Sequence, residues 1–358
     1  MTSAPLLEMD AAAIFDALSG FRAAFPGVRA HFATKCNPDP GVLRVLRSAG
    51  CDFEIASLAE MRTLLDIGVP AAELVFSNPV RARAETAGAA AAGVQRFAAD
   101  SEGELRRLAD EAPGSLVYVR LATAVERSLV PSEGKFGVDV ATAARLLTLA
   151  RELALVPYGV TFHMGSQALS ADMLIRPLDD VRAVLAAVAG EGIRPESVDI
   201  GGGFPARYDR PVPALAEFGR VVTKKIAELP YPVEVIAEPG RCLVAEAGTL
   251  RCRVIGVARR GALWWAHTDL GVFNGMMEVL ESGGELRYPI RDSRGSAALR
   301  RYHITGPTCD GQDTFATDVP LSADLTDDDE ILVGSAGAYT AAYASRFNGF
   351  AVPRVVLV

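Results

Sequence analysis

Six short stretches of the chain carry residues whose types and spacing could do chemistry. His31-Phe32-Ala33-Thr34-Lys35-Cys36-Asn37 reads as a short buried strand ending on a lysine. In an apolar setting such a lysine loses its proton and becomes a nucleophile; the bland alternative is a solvated surface charge. His163-Met164-Gly165-Ser166-Gln167 sets a histidine able to stack on a flat ring beside a serine able to bond a phosphate. A lone histidine of this kind can equally be a satisfied core residue. Gly201-Gly202-Gly203-Phe204-Pro205-Ala206 offers backbone N–H groups that could cradle a phosphate, or an ordinary tight turn. It is not a dinucleotide fingerprint, because Pro205, Pro211 and Pro213 oppose the helix that motif requires. Glu238-Pro239-Gly240-Arg241 spaces an acid and a base three apart. They form either a surface ion pair, or a glutamate facing a ring nitrogen and an arginine supporting a phosphate. Gly306-Pro307-Thr308-Cys309-Asp310-Gly311 is either a turn around a small thiol or a proton donor beside an amine-binding carboxylate. Gly337-Ala338-Tyr339-Thr340 is the sixth stretch.

These residues need elements to position them. Strand signals fall at His31–Thr34, Asp52–Ile55, Leu74–Ser77, Arg96–Ala99, Leu116–Leu121, Tyr158–His163, Val198–Ile200 and Val233–Ala237. Helical patterns separate them, among them Gly41–Ala49, Leu58–Ile67, Glu102–Glu111 and Ala141–Leu153. Alternation of this kind implies βαβ units and a parallel sheet. Eight strands suit a β/α barrel, and a doubly wound open sheet would make the same local pattern. The barrel is preferred because of what stands at the strand ends: Lys35, Glu54, Asn78, Asp100, Arg120, His163, Gly201–Gly203 and Glu238. In a barrel those ends converge on one mouth. After about Leu243 the helical pattern fades. Arg251–Ala258, Leu263–Thr268, Arg301–Ile304, Glu330–Val333 and Arg354–Val358 read as strands of a second, mostly β domain. The expected division is residues 10–245 for the barrel and 1–9 plus 246–358 for the β domain, with residues 4–9 adding an edge strand. The acidic run Asp324–Glu330 reads as a solvated turn.

Composition narrows the function. Of 358 residues, 50% are hydrophobic and 22% charged, so a substantial core is expected. A net charge of −8 argues against a nucleic-acid partner. It suits a soluble, cytoplasmic protein with a small-molecule substrate. The five cysteines show no CxxC pairing and the four histidines no HExxH, so neither a disulfide framework nor a metal site is expected. Met1–Pro5 lacks the basic and apolar parts of a signal peptide, and no apolar run could span a membrane.

Taken together and in order, Ala-Thr-Lys35-Cys-Asn, His163-Met-Gly-Ser166, Asp199-Ile-Gly-Gly-Gly-Phe-Pro205, Glu238-Pro-Gly-Arg241, Gly306-Pro-Thr-Cys309-Asp310-Gly and Gly337-Ala-Tyr339-Thr…Phe347-Asn-Gly-Phe350 resemble the motifs of the fold-type III pyridoxal-phosphate decarboxylases. The ornithine/lysine branch is the nearest. The resemblance runs from about residue 4 to the C-terminus. It implies an alanine-racemase-like (β/α)8 barrel with a second, mostly β domain. It implies pyridoxal 5'-phosphate as cofactor and a homodimer with shared active sites, in which Cys309 and Asp310 come from the partner subunit. By motif, Lys35 forms the Schiff base that holds the cofactor and His163 stacks on its ring. Ser166, Gly202, Gly203, Arg241 and Tyr339 hold its phosphate, and Glu238 pairs with its pyridine nitrogen. Glu54 and Arg120 belong to the same cofactor-binding set. A carboxylate at Glu238 keeps the ring a strong electron sink, which suits decarboxylation. The substrate amine would displace Lys35, CO2 would leave, and Cys309 would protonate Cα. Asp310 and Phe347 would stand at the substrate end.

Three departures stand out. Glu54 occupies the place where eukaryotic ornithine decarboxylases carry an aspartate. Val279 aligns with their aspartate for the distal amine; Glu278, one position away, is the expected substitute. The segment before the barrel is short. The expected activity is decarboxylation of ornithine or lysine to putrescine or cadaverine. The alternatives are a decarboxylase of a modified or carrier-bound amino acid, and a catalytically silent homologue that regulates a decarboxylase by binding it.

Overall fold

The computed structural model describes residues 4–123, 128–130 and 134–358. The chain forms two compact units. One comprises Phe15–Pro205 and Pro213–Gly240; the other comprises the segment up to Ile14, Ala206–Val212 and Arg241–Val358.

The first unit is a closed barrel of eight parallel strands. Its strands are Val28–Ala33, Asp52–Ile55, Val75–Phe76, Arg96–Ala99, Leu116–Arg120, Val156–Thr161, Ser197–Asp199 and Glu234–Ala237. Each pairs with its chain neighbour, and Glu234–Ala237 closes the ring on Val28–Ala33. Each of the eight strand signals that alternate with helical patterns is a barrel strand. Four of the helices begin where short polar side chains accept the free N–H groups of a first turn. Asp39 accepts from Gly41 N at 2.8 Å ahead of the Pro40–Ser48 helix, and Asp139 from Thr142 N at 2.8 Å ahead of Val140–Glu152. Ser57 and Ser101 do the same for Leu58–Asp66 and Glu102–Glu111.

Side chains from four strands fill the barrel: Val75, Ala98, Tyr118 and Ile236, with Tyr158 packed against them. Tyr118 meets Tyr158 edge to face at 5.4 Å and donates to Ser197 Oγ at 2.8 Å. Gly159 makes room for that ring, since a Cβ there would stand 2.5 Å from it. This packed floor leaves only the strand ends open for chemistry.

In the second unit the long strand Gly248–Arg260 is the hub. It pairs antiparallel with Leu6–Met9, Leu263–Thr268 and Glu330–Val333. Leu299–Thr305 lies parallel to Leu263–Thr268 and carries Thr314–Ser322 on its far side. Leu6–Met9 is not an edge, as the sequence suggested, because Arg354–Leu357 pairs on its other side. Thr314–Ser322 and Ile290–Asp292 are strands that the sequence pattern did not announce. The acidic run is a turn, and Arg294 pins it through Asp324 at 3.3 Å and Asp329 at 2.6 Å. Among the described residues, no helix is long and apolar enough to cross a membrane, and no cluster of three metal-ligating side chains occurs.

Candidate active site

Lys35 stands in the single 3-10 turn Thr34–Cys36 that ends the first barrel strand. Its neighbours fix it from both sides. Thr34 is buried and donates to Glu54 O at 2.7 Å, and Cys36 is buried where a Cβ on Gly240 would approach its own Cβ to 2.9 Å. Lys35 alone in the turn remains accessible to solvent. On the next strand Glu54 pairs in register with Ala33 and is fully buried. Its Oε2 has no hydrogen-bond partner. Ser77, at the end of the third strand, donates to Glu238 Oε1 at the end of the eighth.

Charge in the barrel mouth is set by this crowding. The Glu54 carboxylate is the largest influence on Lys35 and raises its pKa; the surrounding protein works the other way, and Glu238 reinforces Glu54. Burial alone would favour the proton-shedding lysine read from the sequence; the carboxylates brought by other strand ends outweigh it. Burial pushes Glu54 well above the usual carboxylate range, with Lys35 opposing. Burial, then Arg120 and Lys35, lower His163 to about 3. Its ring is neutral near pH 7. Gly202 N–H donates to Nδ1 at 3.3 Å, which leaves the ring proton on Nε2. Arg120 lies with its guanidinium carbon 5.2 Å from the centre of the Phe136 ring. Asp199 is buried beside Glu238; burial and that neighbour raise its pKa, while Thr161 Oγ1 and Gly201 N–H each donate to it at 2.8 Å.

The three glycines after Asp199 have a steric reason. Gly201 and Gly203 adopt φ of 63° and 104°, where L side chains are strained. A Cβ on Gly201, Gly202 or Gly203 would overlap the carbonyl oxygen of Phe162, Glu238 or Gly165 respectively. The turn lies directly on its neighbours' backbone. The next helix begins only at Leu215, so no dinucleotide-type helix starts in the glycines. Ser166 opens the short strand Ser166–Ala168, whose Ala168 N–H reaches Gly203 O at 2.9 Å.

The second unit holds its own buried polar cluster. Arg241 donates to Glu278 through both terminal nitrogens, at 2.8 Å for Oε2, and to Tyr208 Oη at 2.7 Å. Tyr288 Oη lies 3.4 Å from Glu278 Oε2, and the Tyr339 ring centre is 4.8 Å from the guanidinium carbon. Glu278, expected from the sequence at the substrate's distal amine, is bonded to Arg241. A partner 37 positions away in the chain holds it.

Cys309 and Asp310 are exposed on a loop whose base is Asp313. Asp313 is fully buried and accepts from Val272 N at 2.7 Å, Thr308 N at 2.9 Å and Thr308 Oγ1 at 2.6 Å. A Cβ on Gly271 would overlap the Asp313 carboxylate, and one on Gly306 would reach 2.5 Å from it. Phe347 stacks obliquely on Phe273 at 4.8 Å and is half exposed.

Residues 11–245 match the sequence profile of the "Pyridoxal-dependent decarboxylase, pyridoxal binding domain". The chain belongs to this pyridoxal-dependent decarboxylase family. It is 32% identical over 326 residues to a lysine/ornithine decarboxylase of Selenomonas ruminantium, spanning 91% of this chain and 82% of the relative. It is 31% identical over 350 residues to antizyme inhibitor 2 of Xenopus laevis, spanning 92% and 75%. The crystal structure of lysine/ornithine decarboxylase complexed with cadaverine from Vibrio vulnificus superposes with a TM-score of 0.91 at 30% identity, covering 99% of this chain and 94% of that one.

As a pyridoxal-dependent decarboxylase the chain uses pyridoxal 5'-phosphate, and its barrel mouth fits that group. An accessible primary amine, a flat neutral imidazole and a carboxylate stand at strand ends of one barrel. Glu54 Oε2 is a buried acceptor still lacking a donor. Three supporting residues had no role in the sequence reading: Ser77, Asp199 and Asp313. Asp199 stands two residues before the first glycine and Asp313 two residues past the Cys309 motif, so proximity to a motif was the available signal. For Tyr208 there was none.

Proposed function

We propose that this decarboxylase acts on a basic L-amino acid, ornithine and/or lysine, and releases putrescine or cadaverine with CO2. The observation that carries the reading is the accessible Lys35 amine set among Glu54, Glu238 and neutral His163 at one barrel mouth. The named substrates of the ~30% identical relatives supply the substrate class.

Pyridoxal phosphate, when bound, supplies the electron sink for the charge left behind by CO2. The chain supplies the rest. Lys35 would hold the cofactor at its aldehyde carbon, with loss of water, and Glu54 would stabilise the lysine ammonium whenever that amine is free. Glu238, steadied by Ser77 and Asp199, holds a proton at the pyridine nitrogen. His163 lies against the ring, and its neutrality avoids placing a cation there. Arg120 completes the electrostatic surroundings of Lys35 and His163. Ser166, Gly202, Gly203, Arg241 and Tyr339 bind the phosphate. Cys309 delivers a proton to Cα, Asp310 meets the distal amine and Phe347 packs on the substrate's apolar chain. Cys309 and Asp310 act in the partner subunit's site within a cytoplasmic homodimer.

Reconstitution with pyridoxal 5'-phosphate, followed by a panel of amino acids with amine detection, tests this. Putrescine or cadaverine as the preferred product supports it. Turnover only of a modified or carrier-bound amino acid replaces the substrate. The relative named antizyme inhibitor 2 favours a second reading, a silent regulatory homologue. Absence of a near-visible absorbance band that borohydride bleaches would select it.

A further inference from the structure

We propose that Glu278 is a positioning residue acting through Arg241: an internal counter-ion that lowers the site's affinity for the cofactor phosphate. The proposal rests on the reading above, in which Arg241 binds that phosphate.

The Arg241 and Glu278 side chains are 3% and 4% exposed. Their contact is fork to fork, with both carboxylate oxygens engaged by the two terminal nitrogens. Such pairing fixes the guanidinium plane and neutralises its charge. Tyr208 takes a further N–H, and Tyr288 caps Glu278 Oε2. Glu278 is thus enclosed by groups of its own unit, and its charge is already answered. A phosphate dianion reaching Arg241 meets a guanidinium whose charge is shared with a carboxylate, and that carboxylate repels it through a medium of low polarity. The Glu278 charge therefore works against phosphate binding while keeping the arginine in place without it.

Two consequences separate this role from one in binding the substrate's distal amine. Glu278→Gln keeps the shape and removes the charge, so Arg241 is left with an uncompensated buried charge. The cofactor-free variant should melt lower than the wild type, and pyridoxal 5'-phosphate should restore more stability to it than to the wild type. The variant's dissociation constant for pyridoxal 5'-phosphate should fall about tenfold, whereas that for pyridoxal, which lacks the phosphate, should move less than twofold. The ratio of the two constants is the readout and needs no turnover.

A ratio unchanged in Glu278→Gln, or moved the other way, overturns the proposal. A substrate KM raised more than tenfold with an unchanged ratio returns Glu278 to the distal amine. If Gln prevents folding, Glu278→Asp, which keeps the charge, should show the wild-type ratio to within threefold; a larger change overturns the proposal. Failure of the wild type to bind pyridoxal 5'-phosphate would instead remove the functional reading, and this inference with it.

Discussion

Lys35 and Glu54 stand at the ends of adjacent barrel strands, and the Glu54 carboxylate is the largest influence holding the Lys35 ammonium protonated. The pair is kept close by Thr34, whose hydroxyl bonds the Glu54 carbonyl at 2.7 Å. The lysine rests in its charged form, and a cofactor aldehyde has to displace a proton that this carboxylate favours.

Glu54→Gln removes that influence. The Lys35 pKa falls, and covalent attachment of the cofactor extends to lower pH. The midpoint of the near-visible band against pH should move acid. A midpoint that stays in place, or moves alkaline, would show that Glu54 does not govern Lys35.

His31 offers a test of the barrel itself. It is fully buried, neither ring nitrogen has a hydrogen-bond partner, and burial lowers its pKa to about 4. The folded state therefore binds fewer protons than the unfolded state, whose imidazole has a pKa near 6.5. Stability is retained above about pH 6.5 and falls as pH drops toward 4, by on the order of 3 kcal/mol from this residue. His31→Phe should reduce the difference between urea midpoints at pH 7 and pH 5. An equal difference in variant and wild type would remove His31 from the acid response.

Much of this arrangement was legible in the chain. The barrel strands are short apolar runs between helices, four of them capped by an Asp or Ser, and both signals are local. Lys35, His163 and Glu238 could be read because the barrel rule places chemistry at strand ends. What was illegible is non-local or locally irregular. Thr314–Ser322 contains Pro320 and an Asp318 at φ 59°, which break the alternation expected of a strand. The Arg241–Glu278 pair joins positions with no periodic relation. The weight of Glu54 on Lys35 is of the same non-local kind, since that carboxylate comes from another strand.

Asp313 ties the Cys309 loop to Val272: its carboxylate accepts from Val272 N on one oxygen and from Thr308 N and Oγ1 on the other. Asp313→Asn leaves one acceptor oxygen where the carboxylate uses two, so at least one donor goes unpaired, at a cost of about 1–3 kcal/mol. With the loop loosened, kcat should fall tenfold or more while cofactor affinity stays within twofold. Equal losses in both would point to general unfolding, which thermal melting would reveal.

The proposed sharing of sites between subunits has a complementation test. Lys35→Ala and Cys309→Ala chains, each inactive alone, should regain about a quarter of wild-type activity on mixing, as expected when one hybrid site keeps both residues. Verified mixed dimers without recovery would place both residues in the same chain's site.

The central claim is that Lys35 holds the cofactor. Borohydride reduction of the reconstituted protein, followed by peptide mass mapping, reads it directly. The account predicts one pyridoxyl-phosphate adduct on the peptide containing Lys35, absent from Lys35→Ala. An adduct on another residue, or an unchanged adduct in Lys35→Ala, would contradict it.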